Sequence, residues 1–317
     1  MTKTFEQTDV VDWLMEGDPA IRWQMMRDIL CKPAAQWKRE QRRVATEGWG
    51  KPLLDLRDAC GIWGGGIYTP KWTSTNYTLL LLRDMGLPRD NEAGSVGASL
   101  LIENDFGTAA SKTFAYRLDR MDLCVTGMYL ALLVYFNVRD ERVELILDYL
   151  LTRQMADGGW NCKERRHKSL HSSLHTTINI LDGLADYAEY GGKKAKGAVK
   201  ESMHRAHEFI LEHRLFRSDK TGDVIREAFK KFSFPPRWHW DVLRGLDYFR
   251  RIDAPRDLRL QDAIDLLMSK QRTDGRWKLE NHHRGKEFFK LEKLGQPSRW
   301  NTLRALRVCR WWQSPCS

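Results

Sequence analysis

Six short segments of this chain share one pattern, and their spacing limits the fold more than any other feature. Five superpose directly: Trp72 to Leu82, Cys124 to Leu133, His175 to Leu184, Arg237 to Leu246 and Arg299 to Leu306. A sixth, Arg22 to Ile29, fits more loosely. Their first apolar anchors, Met26, Leu79, Leu130, Leu181, Leu243 and Leu303, stand 53, 51, 51, 62 and 60 residues apart. A period of that length holds two helices, and repeated helix pairs stack on a shared core. Between the segments run amphipathic stretches. Val143, Ile146, Leu147, Leu150 and Leu151 follow helical spacing, as do Leu260, Ile264, Leu267 and Met268. Each stretch ends in a similar turn, Gln154-Met-Ala-Asp-Gly-Gly-Trp160 and Gln271-Arg-Thr-Asp-Gly-Arg-Trp277. Asp-Gly stops a helix because glycine enters the left-handed region without a Cβ penalty. Cys60-Gly-Ile-Trp63 is a degenerate copy. Lys163 to Ser173, basic and serine-rich, reads as a loop. No strand pattern competes. The expectation is an all-α chain: an (α/α)6 toroid of six helix-hairpin repeats, one domain over residues 1–317. Its inner helices would run the same way, with their N-termini at one mouth.

Composition narrows the setting. The longest apolar stretch, Met128 to Phe136, is far shorter than the ~20 residues of a membrane span. The first residues, Met-Thr-Lys-Thr-Phe-Glu, have no apolar signal core. Six cysteines, at 31, 60, 124, 162, 309 and 316, form no Cys-x-x-Cys pair and no disulfide framework, so reduced thiols in the cytoplasm are expected. The net charge is +10, with the basic residues spread along the chain as a solvated surface. No nucleic-acid motif appears, so no nucleic-acid partner is expected. A basic surface is compatible with peripheral association with an anionic membrane. No partner subunit is deducible.

The Gln-x-x-Asp-Gly-x-Trp turns resemble the QW repeats of the prenyltransferase and squalene-cyclase superfamily, whose fold is the α-α toroid. Asp122-Leu-Cys124 and His175-Thr176 are similar to the zinc-binding motif of the protein-prenyltransferase catalytic subunits. The likeness extends to Gly158-Gly159 and to Leu181-Asp-Gly-Leu184. It implies zinc held by Asp122, Cys124 and His175; Cys162, by its own position just after the Gly-Gly-Trp turn, is a possible replacement or fourth ligand. It also implies a diphosphate held by upstream basic residues, here Arg117 and Arg120, one position closer than in that family. The Asp-x-Asp-Asp acid of the cyclases and the Asp-Asp-x-x-Asp of terpene synthases are absent, since no two aspartates are adjacent.

The residues support part of this independently. Cys124 and His175 both lie six positions before their anchor leucines. Zinc takes thiolate, imidazole and carboxylate ligands and keeps one position open for catalysis. Alternatively, Asp122 is an N-cap, Cys124 a small buried hydrophobe and His175 a core residue. Trp72, Tyr77, Tyr129, Trp238, Trp240, Arg299 and Trp300 fall at mouth positions and would line a cavity for an isoprenoid or other hydrophobic small molecule. His239 and Asp241 are the candidates for acid–base catalysis. Three functions are therefore expected. The first is a zinc-dependent prenyl-transfer enzyme. The second is a terpenoid cyclase-like enzyme with a non-standard acid. The third is a toroid that only binds an isoprenoid or lipid.

Overall fold

The computed structural model describes residues 7–107, 112–190, 194 and 197–313. These residues hold fifteen α-helices and no β-strand, only three isolated bridges. The first four are α1 (Gln7–Met15), α2 (Pro19–Asp28), α3 (Ala34–Arg42) and α4 (Gly50–Asp55). Then come α5 (Thr75–Met85), α6 (Glu92–Phe106), α7 (Lys112–Arg120), α8 (Leu123–Tyr135) and α9 (Glu141–Thr152). The short α10 (Lys163–His167) leads into α11 (Leu174–Glu189) and α12 (Ala198–Glu212). The last three are α13 (Val242–Arg251), α14 (Gln261–Ser269) and α15 (Arg299–Gln313). Among the described residues, no helix is long and apolar enough to cross a membrane.

The six repeated segments correspond to α2, α5, α8, α11, α13 and α15. These helices are buried on nearly every side: α8, for example, buries Leu123, Val125 and every residue from Thr126 to Leu133. The intervening helices bury one stripe only, as α9 does with Val143, Ile146, Leu147 and Leu150. Hairpin partners pack as α5 on α6, α8 on α9, α11 on α12 and α13 on α14. Buried helices also pack on one another, α5 on α8, α8 on α11, α13 on α15 and α15 on α2. The closest pair is α8 and α11, and glycine permits it. A Cβ on Gly127 would stand 2.8 Å from Asn179 O, and one on Gly183 2.8 Å from Gly127 O.

The tryptophan turns recur as one construction. Trp63, Trp160 and Trp277 are fully buried. Their indole N–H groups donate to Leu53 O, Leu150 O and Leu267 O, each ten residues back. Their backbone N–H groups donate to Thr75, Thr177 and Thr302 at 3.0–3.1 Å, at the start of the next buried helix. Gly61, Gly158 and Gly275, two residues before each tryptophan, have φ of +84°, +94° and +75°. The stretch from 163 to 173, expected as a loop, winds its first five residues into α10.

Candidate functional site

A cavity of about 830 Å³ lies between the buried helices, reaching from Tyr77 and Trp300 in their first turns to Arg83, Asp186 and Arg251 near their C-terminal ends. Leu80, Leu81, Met128, Phe234 and Trp300 form apolar parts of its wall. The rest is charged: ten arginines and Lys38 face seven carboxylates. Arginine suits this end of the helices because the C-terminal carbonyl ends carry partial negative charge. Arg27, Arg83, Arg250 and Arg251 all stand in last turns.

Most of these charges are paired across helices. Arg83 of α5 reaches Asp186 of α11 with two bonds, at 2.9 and 2.6 Å. Arg251 of α13 binds the other oxygen of Asp186. Arg244 joins Asp182 at 2.8 Å. Arg307 of α15 spans Asp247 of α13 at 2.7 Å and Asp28 of α2 at 3.2 Å. Trp23 of α2 donates to the carbonyl of Met85, and Gln24 to that of Asp84, both at the end of α5. Lys38 and Arg42, on the exposed α3, have no carboxylate partner among the described residues.

The carboxylates here differ in environment. For Asp247, burial favours the neutral acid, but Arg250, Arg307 and Arg304 outweigh it and hold the group well below the usual range. Asp84 behaves oppositely. Burial raises its pKa, Arg83 lowers it and the negative charge of Asp182 raises it again; the net shift is upward. Its contact with Arg83 is long, 3.4 Å, and 31% of its side chain still faces the cavity. Asp84 is thus a cavity carboxyl whose surroundings favour the protonated form.

The residues singled out from sequence divide between this cavity and other places. Tyr77 and Trp300 line it. His175, Trp238, His239 and Trp240 line a second, smaller cavity of about 160 Å³ with His283. There His239 stacks between Trp238 and His283, each centroid 3.7 Å away. Its pKa falls to about 3, through burial and then through the neighbouring His283 and His175. Near neutral pH this imidazole is therefore uncharged. Asp241 is buried as the N-cap of α13, accepting from Arg244 N at 2.8 Å and from Ser233 Oγ at 2.6 Å. Trp72, Tyr129, Arg117, Arg120 and Arg299 line neither cavity. Trp72 donates its indole N–H to His283 O and Arg284 O, and Tyr129 its hydroxyl to Asp105. Arg117 lies exposed against the carbonyls of Asn104 and Asp105, Arg120 over the ring of Tyr116, and Arg299 over the ring of Trp13.

Cys124 and His175 share a helical register but face different neighbours. His175 Nδ1 accepts the Trp240 N–H at 2.8 Å, and its ring meets Phe229, Trp238 and His239. Cys124 instead meets Cys162, whose Sγ accepts the Cys124 N–H at 3.3 Å and lies 3.4 Å from Thr176 Oγ1. The neighbouring Cys124, opposed by burial and helped by Thr176, lowers the Cys162 pKa to about 7. Cys124 rises well above the usual value, first because of Cys162 beside it and then through burial. Among the described residues, no three His, Cys, Asp or Glu side chains gather as a metal-holding group.

The arginine and aspartate set of the large cavity was not singled out from sequence, although a signal existed. Arg83-Asp84, Asp182 with Asp186, Arg244 with Asp247, and Arg304 with Arg307 are adjacent or stand three or four residues apart on otherwise apolar helices. Such spacing places charge on one face of a buried element. No protein-family model and no curated protein matches this sequence.

Proposed function

We propose that the six buried helices close into the ring of an (α/α)6 toroid, and that the cavity within it takes an amphipathic anion of the isoprenyl diphosphate class. The ring is supported by side-chain ties from α2 to α5, α5 to α11, α11 to α13, α13 to α15 and α15 back to α2. The ligand class rests on one observation: the cavity carries more cations than carboxylates, beside an apolar wall. Cations in a partly dry cavity bind phosphate oxygens with charge-assisted hydrogen bonds. Lys38 and Arg42 would meet the diphosphate first, and Leu80, Leu81, Met128 and Trp300 would pack the hydrocarbon. Asp84, whose pKa is raised by burial, would serve as the acid–base group of a cyclase-like or prenyl-transfer reaction.

Thermal melting tests this reading with farnesyl diphosphate, inorganic pyrophosphate and squalene. Farnesyl diphosphate should raise the melting temperature most, pyrophosphate less and squalene not at all. Lys38→Gln with Arg42→Gln should weaken the diphosphate response at least tenfold in ligand concentration, and added salt should do the same. A response to squalene alone, or none to either diphosphate, would reject the proposal.

A further inference from the structure

The two sulfurs near the N-terminal end of α8 play no part in the cavity chemistry. Cys162 follows the Trp160 turn, and Cys124 is the second residue of α8. Two groups converge on Cys162 Sγ: the Cys124 N–H at 3.3 Å and Thr176 Oγ1 at 3.4 Å. Both cysteines are partly exposed and neither is in a disulfide. Lys71 and Tyr68 face the pair electrostatically, and Lys71 Nζ lies 5.0 Å from the Tyr68 ring. One sulfur is therefore held as an acceptor, with a second cysteine whose backbone N–H it accepts directly beside it.

We propose that Cys162 and Cys124 form a thiol–disulfide couple that exchanges with a low-molecular-weight disulfide, Cys162 attacking and Cys124 resolving. Cys162 sulfur, as thiolate, attacks one sulfur of oxidised glutathione. The glutathione S–S bond breaks, one glutathione leaves and takes up a proton, and a mixed disulfide remains on Cys162. The Cys124 thiol then loses its proton to solvent and attacks the Cys162 sulfur. The second glutathione leaves and is protonated in turn. Two protein thiols are oxidised to one disulfide, and one glutathione disulfide is reduced to two thiols. The hydrogen bonds on Cys162 Sγ steady the attacking thiolate, and the neighbouring thiol makes the second step intramolecular.

The test uses the whole chain at neutral pH with oxidised glutathione, read by intact mass and peptide mapping. Cys31 and Cys60, both exposed, serve as internal references. Cys124 and Cys162 should disappear from the free-thiol count together, as one cross-linked peptide, before the references are modified. Dithiothreitol should restore both. Cys124→Ser should stop at a mixed disulfide on Cys162, and Cys162→Ser should leave Cys124 unmodified. References reacting first, no 124–162 cross-link in the unsubstituted chain, or zinc found on the two thiols would each overturn the proposal.

Discussion

Trp160 donates its backbone N–H to Thr177 Oγ1 at 3.1 Å, across the turn that joins α9 to α11. Both groups are fully buried, and the same bond joins Trp63 to Thr75 and Trp277 to Thr302. Thr177→Val keeps the volume but removes the acceptor, leaving a buried N–H without a partner. The expected loss is about 1–3 kcal/mol, since such a group forfeits its hydration with nothing in return. Thr75→Val and Thr302→Val should cost similar amounts. Urea unfolding checks this: the midpoint should drop while the slope stays constant.

Gly183→Ala should be more disruptive than an alanine in a helix normally is. Alanine usually favours a helix over glycine, by roughly 1 kcal/mol. Here its Cβ would stand 2.8 Å from the carbonyl oxygen of Gly127, which is backbone and cannot rotate aside. Helices α8 and α11 must separate, at a cost of about 1–3 kcal/mol. Gly222→Ala is the contrast in space, since nothing lies within 4 Å of its Cβ, although its φ of +74° adds strain. A melting-temperature drop for Gly183→Ala accompanied by loss of near-ultraviolet dichroism is the expected result.

Helix content and turns were legible in the sequence because they depend on neighbours along the chain. The 3.6-residue period marks α9 and α14, and Asp-Gly before tryptophan marks where they stop. The copy at Trp63, lacking the Gln and the Asp-Gly, still builds the same turn, because its glycine and buried indole suffice. The direction of a side chain at equal register was not legible. Cys124 and His175 match by position, yet His175 is pinned by the Trp240 N–H, 65 residues away, while Cys124 turns to Cys162. The charged cavity was hidden for a related reason. Arg244 and Asp182 look like surface residues until their helices meet.

Asp186 should be the most costly single carboxylate to neutralise. Its side chain is wholly buried and binds Arg83 through one oxygen and Arg251 through the other. Asp186→Asn leaves two guanidinium groups without that charge, and breaking a buried pair costs about 3–5 kcal/mol. Asp55→Asn, which loses only an exposed pair with Lys51, should change stability by under about 1 kcal/mol. Denaturant midpoints for the two variants compare them directly. Equal effects would mean that the cavity pairs are as hydrated as surface ones.

Acid should destabilise the chain through its buried imidazoles. Burial lowers His175, His207 and His283 to about 4, and His239 to about 3, from an ordinary value of 6.5. Between pH 6.5 and about 4, the unfolded chain therefore binds protons at these positions that the folded chain refuses. Stability rises with pH wherever the unfolded state holds more protons, so here it falls as pH is lowered. The loss begins near pH 6.5 and levels off only below the folded values, after each imidazole has charged in both states. His239→Gln removes one such group and should flatten the fall over this window by about one proton's worth of slope. Unfolding free energies measured at about pH 7, 6, 5 and 4.5 for both proteins decide it, and a variant whose profile parallels the unsubstituted chain would show that His239 charges freely when folded.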